Sequence, residues 1–314
     1  MNEILECYLY LPRSIVQKRI LVQLSVMLLL LSCGKSRFGV LAPELEPGEV
    51  DISLPTTETA TVSNGFITIR FEFKGDMELE SGEQPWNSEE VARFEEAGER
   101  WLEIVESAAG EPGLIIDVYV QVKPYEEGVG AASPYFDSLK NVRGYYFPTQ
   151  GEMVVASEVY TEAYLEEFES QEDSDDEYKA IVLHELGHIF GIGTLWNLGS
   201  EDGEVYPEDE NPDLRHWARE SNEYGGYYYR EPAALSGYRE VFGNWDVVPI
   251  SADIGHVYFS DDENPERYQG EERPFPSADM ELMGDGNFAT SITGGFLIDL
   301  GWRINRAALD EYPE

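Results

Sequence analysis

The stretch HELGHIFGIGTLW, His184–Trp196, sets two histidines four residues apart, with a glutamate directly after the first. On an α-helix such residues lie one above the other, roughly 6 Å apart along the axis, so His184 and His188 can present two imidazoles to one ion. That is a common arrangement for catalytic zinc. Glu185 is placed to act as general base on a water at the open position, and then as acid. Ala180, Ile181, Leu183, Leu186, Ile189 and Phe190 are largely apolar, which predicts a mostly buried helix. The acidic run Asp175, Asp176 and Glu177 suits its positive end, so the helix is expected to begin near Ser174 or Asp175. Gly191 and Gly193 are expected to release it, and Gly187 and Gly191 to leave room for neighbouring backbone. A buried helix carrying two histidines and a glutamate must satisfy their polar atoms, and a metal does so.

A compact version of this site takes its third ligand six residues after the second histidine. Thr194 stands there and is not a normal zinc ligand. The chain holds only four histidines, so the remaining candidates are His216 and His256.

Upstream, Gly65–Gly75 (GFITIRFEFKG) alternates apolar and polar residues and reads as a strand. Asn87 or Ser88 is a candidate cap for a helix with Val91, Phe94, Ala97, Trp101, Ile104 and Val105 at helical spacing. Gly113–Val122 and Gly151–Ser157 read as further strands. Downstream of Trp196, glycines, prolines, acidic runs and tyrosines dominate to about Asp285 and leave few periodic segments. Ser291–Asn305, SITGGFLIDLGWRIN, then predicts a last helix and its exit turn.

The chain carries 62 acidic against 21 basic residues, a net charge of −41, which repels phosphate backbones and excludes nucleic acid as a partner. The acidic blocks at 166–177 and 201–213 read as solvated faces. Structural calcium is the rival reading, although neither block has the ligand spacing of an EF-hand.

Arg13, Lys18 and Arg19 precede the apolar run Ile20–Leu31, which stops at Ser32-Cys33-Gly34. This is a segment of signal-peptide length, too short for a comfortable bilayer span. Leu-Leu-Ser-Cys-Gly resembles a bacterial lipobox, in which Cys33 is lipidated and becomes the first mature residue. Residues 1–33 are therefore expected to direct export to a lipid-anchored envelope position at the outer membrane or cell surface, with plain secretion as the rival. Removal of Cys7 and lipidation of Cys33 would leave no thiol for a disulfide or a cysteine ligand. Residues 34–60, rich in Pro, Glu, Thr and Ser, read as a flexible tether.

From Asp175 onward the chain resembles the metzincin metallopeptidases, and within them the leishmanolysin-like family. His184–Asn197 is similar to that family's active-site signature, including the Thr-Leu-Trp after the glycines. Tyr238 in ALSGYRE and the Val-Val-Pro-Ile at 247–250 resemble the approach to its third histidine, which implies the ligand role for His256. Glu281–Gly286, ELMGDG, resembles the methionine-containing turn beneath the metal, with Met283 as its methionine. Val257 departs from the tryptophan common after the third histidine, and Ser260–Glu272 is an acidic insertion. Without the disulfides of the parasite members, the chain resembles their simpler bacterial relatives.

The resemblance implies an α+β, metzincin-like zincin: an amino-terminal mixed β-sheet with the active-site helix, and an irregular carboxy-terminal subdomain. The catalytic domain would span 61–310, divided near 193/194. The implied function is a zinc-dependent endopeptidase with one catalytic Zn2+ on His184, His188 and His256, Glu185 as general base and acid, and a protein or peptide as substrate. A monomer is assumed. Two rival functions are a non-catalytic zinc-binding surface lipoprotein and a metal-dependent amidase acting on cell-wall peptides. The Gly193–Trp196 backbone is expected to line the cleft and pair with an extended peptide, and Tyr227–Tyr229 to supply an oxyanion donor or an apolar subsite.

Overall fold

The computed structural model describes residues 50–75, 86–123, 129–160, 164, 171–196, 218–221, 226–251, 255–258, 275–284 and 286–313. Cys33 and the export segment, His216, and the acidic stretches 201–213 and 260–272 lie outside the described residues. Among the described residues, no helix is long and apolar enough to cross a membrane.

Two hairpin strands, β1 (Thr56–Ser63) and β2 (Ile67–Lys74), open the sheet. Asn64 makes their turn: its side-chain oxygen accepts from the amides of Phe66 and Ile67, and its amide group donates to the Val105 carbonyl. The chain then crosses by α1 (Ser88–Ile104) and β3 (Val105–Ala108) to β4 (Leu114–Lys123), which runs parallel to β2. Asn87 caps α1 by accepting from the amides of Glu89 and Glu90. After β5 (Gly130–Pro134) and the short hairpin β6 (Lys140–Val142) and β7 (Tyr145–Phe147), β8 (Gln150–Ala156) returns. β8 pairs parallel to β4 on one side and antiparallel to β5 on the other, giving the mixed order β1-β2-β4-β8-β5.

One face of this sheet is apolar because alternate residues point the same way. Ile69, Phe71 and Phe73 from β2 and Ile116, Val118 and Val120 from β4 are all buried. Against them pack α1, through Phe94, Ala97 and Trp101, and α2 (Gln171–Ile189), through Ile181, Val182, Leu186 and Ile189. Phe94 meets Phe73 edge to face at 5.0 Å, and Trp101 stacks on Phe190 at 5.1 Å.

Two expected boundaries shift. α2 starts at Gln171, a few residues before the acidic run expected to open it. More substantially, residues 50–60 are not a tether. Val50 is buried, with its amide donated to the buried Glu152 carboxylate, and β1 begins at Thr56. This edge strand buries only Ala60 and Val62, so its composition resembles a linker while its backbone belongs to the sheet.

The rest is built from short pieces. β9 (Ala218–Ser221), β10 (Gly226–Tyr229) and β11 (Val248–Ile250) form a small antiparallel sheet. α3 (Pro232–Phe242) packs on α4 (Ser291–Asp299), and β12 (Trp302–Ile304) closes back on β3. The architecture is thus α+β with a mixed sheet, as expected.

Candidate metal centre

α2 brings His184 and His188 to one side of its last two turns, and the segment after β11 brings His256 to meet them. The three Nε2 atoms are 3.0, 3.2 and 3.2 Å apart. Ring centroids lie 4.9 to 5.0 Å apart, so the imidazoles surround one point. All three residues are buried.

The outer nitrogens decide what the inner ones can do. His184 Nδ1 lies 2.6 Å from the Leu282 carbonyl, and His188 Nδ1 lies 2.9 Å from the Ile192 carbonyl. A carbonyl only accepts, so both Nδ1 atoms carry the proton, and each neutral ring turns an Nε2 lone pair inward. Burial, followed by the two neighbouring imidazoles, holds His184 well below the ordinary histidine pKa, which keeps that ring in the neutral form a metal needs. Lone pairs converging at about 3 Å repel unless a cation lies among them. A tetrahedral zinc with Zn–N bonds of about 2.0–2.1 Å sets N···N edges near 3.4 Å, close to the observed triangle. The donor set fits zinc.

Local sequence explains the approach of each ligand. α2 ends in a Schellman cap: Ile192 N donates to the Gly187 carbonyl at 3.1 Å and Gly191 N to the His188 carbonyl at 3.0 Å, with Gly191 at φ +104°. The cap aims the Ile192 carbonyl back at the His188 ring. Thr194, at the position where compact sites carry a histidine, instead donates its hydroxyl to the His188 carbonyl at 2.8 Å. Gly193, at φ +79°, lies so close to the Gly255 carbonyl that a Cβ would collide with it, and this contact admits the His256 segment. Ser251 N and Oγ hold the His256 carbonyl at 3.0 and 3.2 Å.

Met283 packs against α2 at Gly187. A Cβ at Gly187 would strike its sulfur, and its carbonyl accepts from Val257 N at 2.9 Å. The small residues on α2 therefore make room for side chains, Met283 at Gly187 and Leu195 at Gly191, rather than for backbone.

The Glu185 carboxyl faces β5, where a Cβ at Gly130 would come 2.9 Å from its Oε1. Glu185 is buried, neither oxygen has a hydrogen-bond partner among the described residues, and burial alone pushes its carboxyl up to about 8. A carboxylate placed so is stabilised by a nearby cation or by a bound donor such as water.

A buried set of three histidines, two of them on the last turns of a helix packed under a mixed sheet, is a zincin-like metal centre. Comparison of the chain with family models, with curated proteins and with solved structures returns no match. The likeness thus rests on the geometry of the site.

Two expectations for the cleft are corrected. Gly193–Trp196 is a turn with a buried interior: Trp196 packs on Tyr229 and Phe296 at 5.2 and 4.4 Å, so this backbone is not a free strand edge. Tyr229 is core, not an oxyanion donor, since it is fully buried and its ring also packs edge to face on Phe296. The edge strand next to Glu185 is β5, whose sequence GAASP gave no strand signal because small residues replace the usual β-branched ones.

Proposed function

We propose that the chain is a zinc-dependent endopeptidase, a leishmanolysin-like metzincin, exported and lipid-anchored at Cys33. The observation that carries the reading is the convergence of three Nε2 atoms, with a buried carboxylate, next in sequence to one of these histidines, that has no partner among the described residues and faces an edge strand. When bound, zinc supplies Lewis acidity, acidifying a water and polarising a carbonyl. The chain's own residues do the remainder. His184 and His188, locked as Nδ1–H tautomers, offer fixed lone pairs. Glu185 accepts the proton of the attacking water and delivers it to the leaving amine nitrogen. Its burial excludes bulk solvent from that transfer. Among the described residues β5 pairs with β8 on one side only, so its other edge can take an extended peptide as a further strand, which favours a protein or peptide substrate.

The test is cleavage of a mixed peptide library by the purified full chain in zinc, followed by mass spectrometry. Glu185→Gln is expected to keep zinc and to lose activity by about 10²–10⁴-fold, and a chelator is expected to abolish it. Zinc binding without cleavage by the unsubstituted chain would leave a metal-binding lipoprotein. Cleavage confined to cell-wall peptides would leave the amidase. Incorporation of a labelled fatty acid, lost in Cys33→Ala, tests the anchor.

A further inference from the structure

Among the described residues, the buried Glu281 directly precedes Leu282, whose carbonyl meets the His184 ring. It is fully buried, and its two oxygens gather four donors from the start of α4. The amides of Thr290 and Thr293 donate to Oε1 at 3.4 and 3.3 Å, the Thr293 hydroxyl donates to Oε1, and the Thr290 hydroxyl donates to Oε2. Thr290 is the N-cap of α4, so the carboxylate sits at the positive end of a helix. The Glu281 carbonyl meanwhile accepts from Gly284 N and Gly286 N at 2.9 and 3.0 Å, tightening the turn that carries Met283.

The next two residues hold the ligands. The Leu282 carbonyl accepts the His184 Nδ1 proton at 2.6 Å, and the Met283 carbonyl accepts Val257 N, one residue after His256. Three consecutive residues thus join one helix to both ligand-bearing segments, α2 and the His256 segment. We propose that Glu281 is a positioning residue for the metal centre: by anchoring the turn to Thr290 and Thr293 it sets the Leu282 carbonyl against His184 and the Met283 carbonyl against the His256 segment. This rests on the metal reading above. Outer contacts of this kind orient ligand rings, and their loss typically weakens metal binding by about 10–100-fold.

A simple stabiliser of α4 would instead leave the affinity of the folded chain unchanged. The experiment compares Glu281→Gln with Asp299→Asn, since Asp299, at the other end of α4, is a helix-capping carboxylate that accepts from Ala233 N and Ala234 N. Zinc affinity is measured by competition with a chromophoric chelator, and solvent exchange of the His184 Nδ1 proton by NMR in the metal-free chain. The expected result is zinc binding weakened about 10–100-fold and faster Nδ1–H exchange in Glu281→Gln, with both unchanged in Asp299→Asn. Equal zinc affinity and exchange in the Glu281→Gln and unsubstituted chains would overturn the proposal, as would equal losses in the two variants. If Glu281→Gln does not fold, Thr293→Val, which removes one donor without changing shape, is read by the same two assays, and wild-type values there overturn the proposal. If the unsubstituted chain takes no zinc, the metal reading fails, while Nδ1–H exchange still decides whether Glu281 positions His184.

Discussion

Thr194 occupies a ligand position without being a ligand, yet it acts on one: its hydroxyl holds the carbonyl of His188. Gly193 beside it combines φ +79° with the close approach of the Gly255 carbonyl. Gly193→Ala therefore meets both backbone strain and a collision that can be relieved only by moving the His256 segment. A loss of at least about 2 kcal/mol is expected in urea unfolding, together with weaker zinc binding. Stability within about 0.5 kcal/mol of the unsubstituted chain would show that this contact is not needed. The roles of His184, Glu185 and His188 are legible in sequence because one helical turn sets their spacing. The tautomers are not, since the accepting carbonyls of Ile192 and Leu282 are 4 and 98 positions away from the rings they hold.

Some open ends of the helices near the centre are satisfied by distant side chains. The Phe190 carbonyl, past the end of α2, accepts the Trp302 indole N–H at 2.9 Å, and the Leu183 carbonyl, inside α2, accepts the Trp101 indole N–H at 2.7 Å. Asp299, at the end of α4, caps α3. Burial pushes its carboxyl up from 3.8 to about 6, against the pull of the Ala234 and Ala233 amides. The folded state then holds that proton more tightly than the unfolded chain, so between about pH 4 and 6 this group makes stability fall as pH rises. Asp299→Asn, which cannot titrate, is expected to show a shallower decline in urea midpoint across that window. An equal slope in both chains would rule the group out. α1 and the long strands β2, β4 and β8 are legible because their periodicity is strong. β1, β5 and α3 are not, because their alternation is diluted by small or polar residues and their stability comes from neighbours.

The whole chain carries a net charge of −41, and like charges oppose compaction. Ion pairs such as Arg70 with Asp117 and Arg100 with Asp310 involve partly exposed groups and contribute little each. Raising sodium chloride from 0.05 to 1 M shortens the screening length to about 3 Å. The melting temperature is accordingly expected to rise by roughly 3 °C or more, as followed by circular dichroism. A flat or falling curve would mean that the acidic groups are too dispersed to strain the fold.

Sequence alone determined the helix of His184 and His188, the placing of Glu185 beside them, and the strand-helix-strand outline before it. These are local properties, set by a 3.6-residue or 2-residue period that needs no distant partner. It narrowed the third ligand to His216 or His256, and resemblance pointed to His256. Only the tertiary structure brought His256 within 3.2 Å of both helix histidines, turned β5 toward Glu185, and set Glu281 behind the methionine turn. Those relations join residues tens of positions apart through chain closure and packing, which periodicity does not encode.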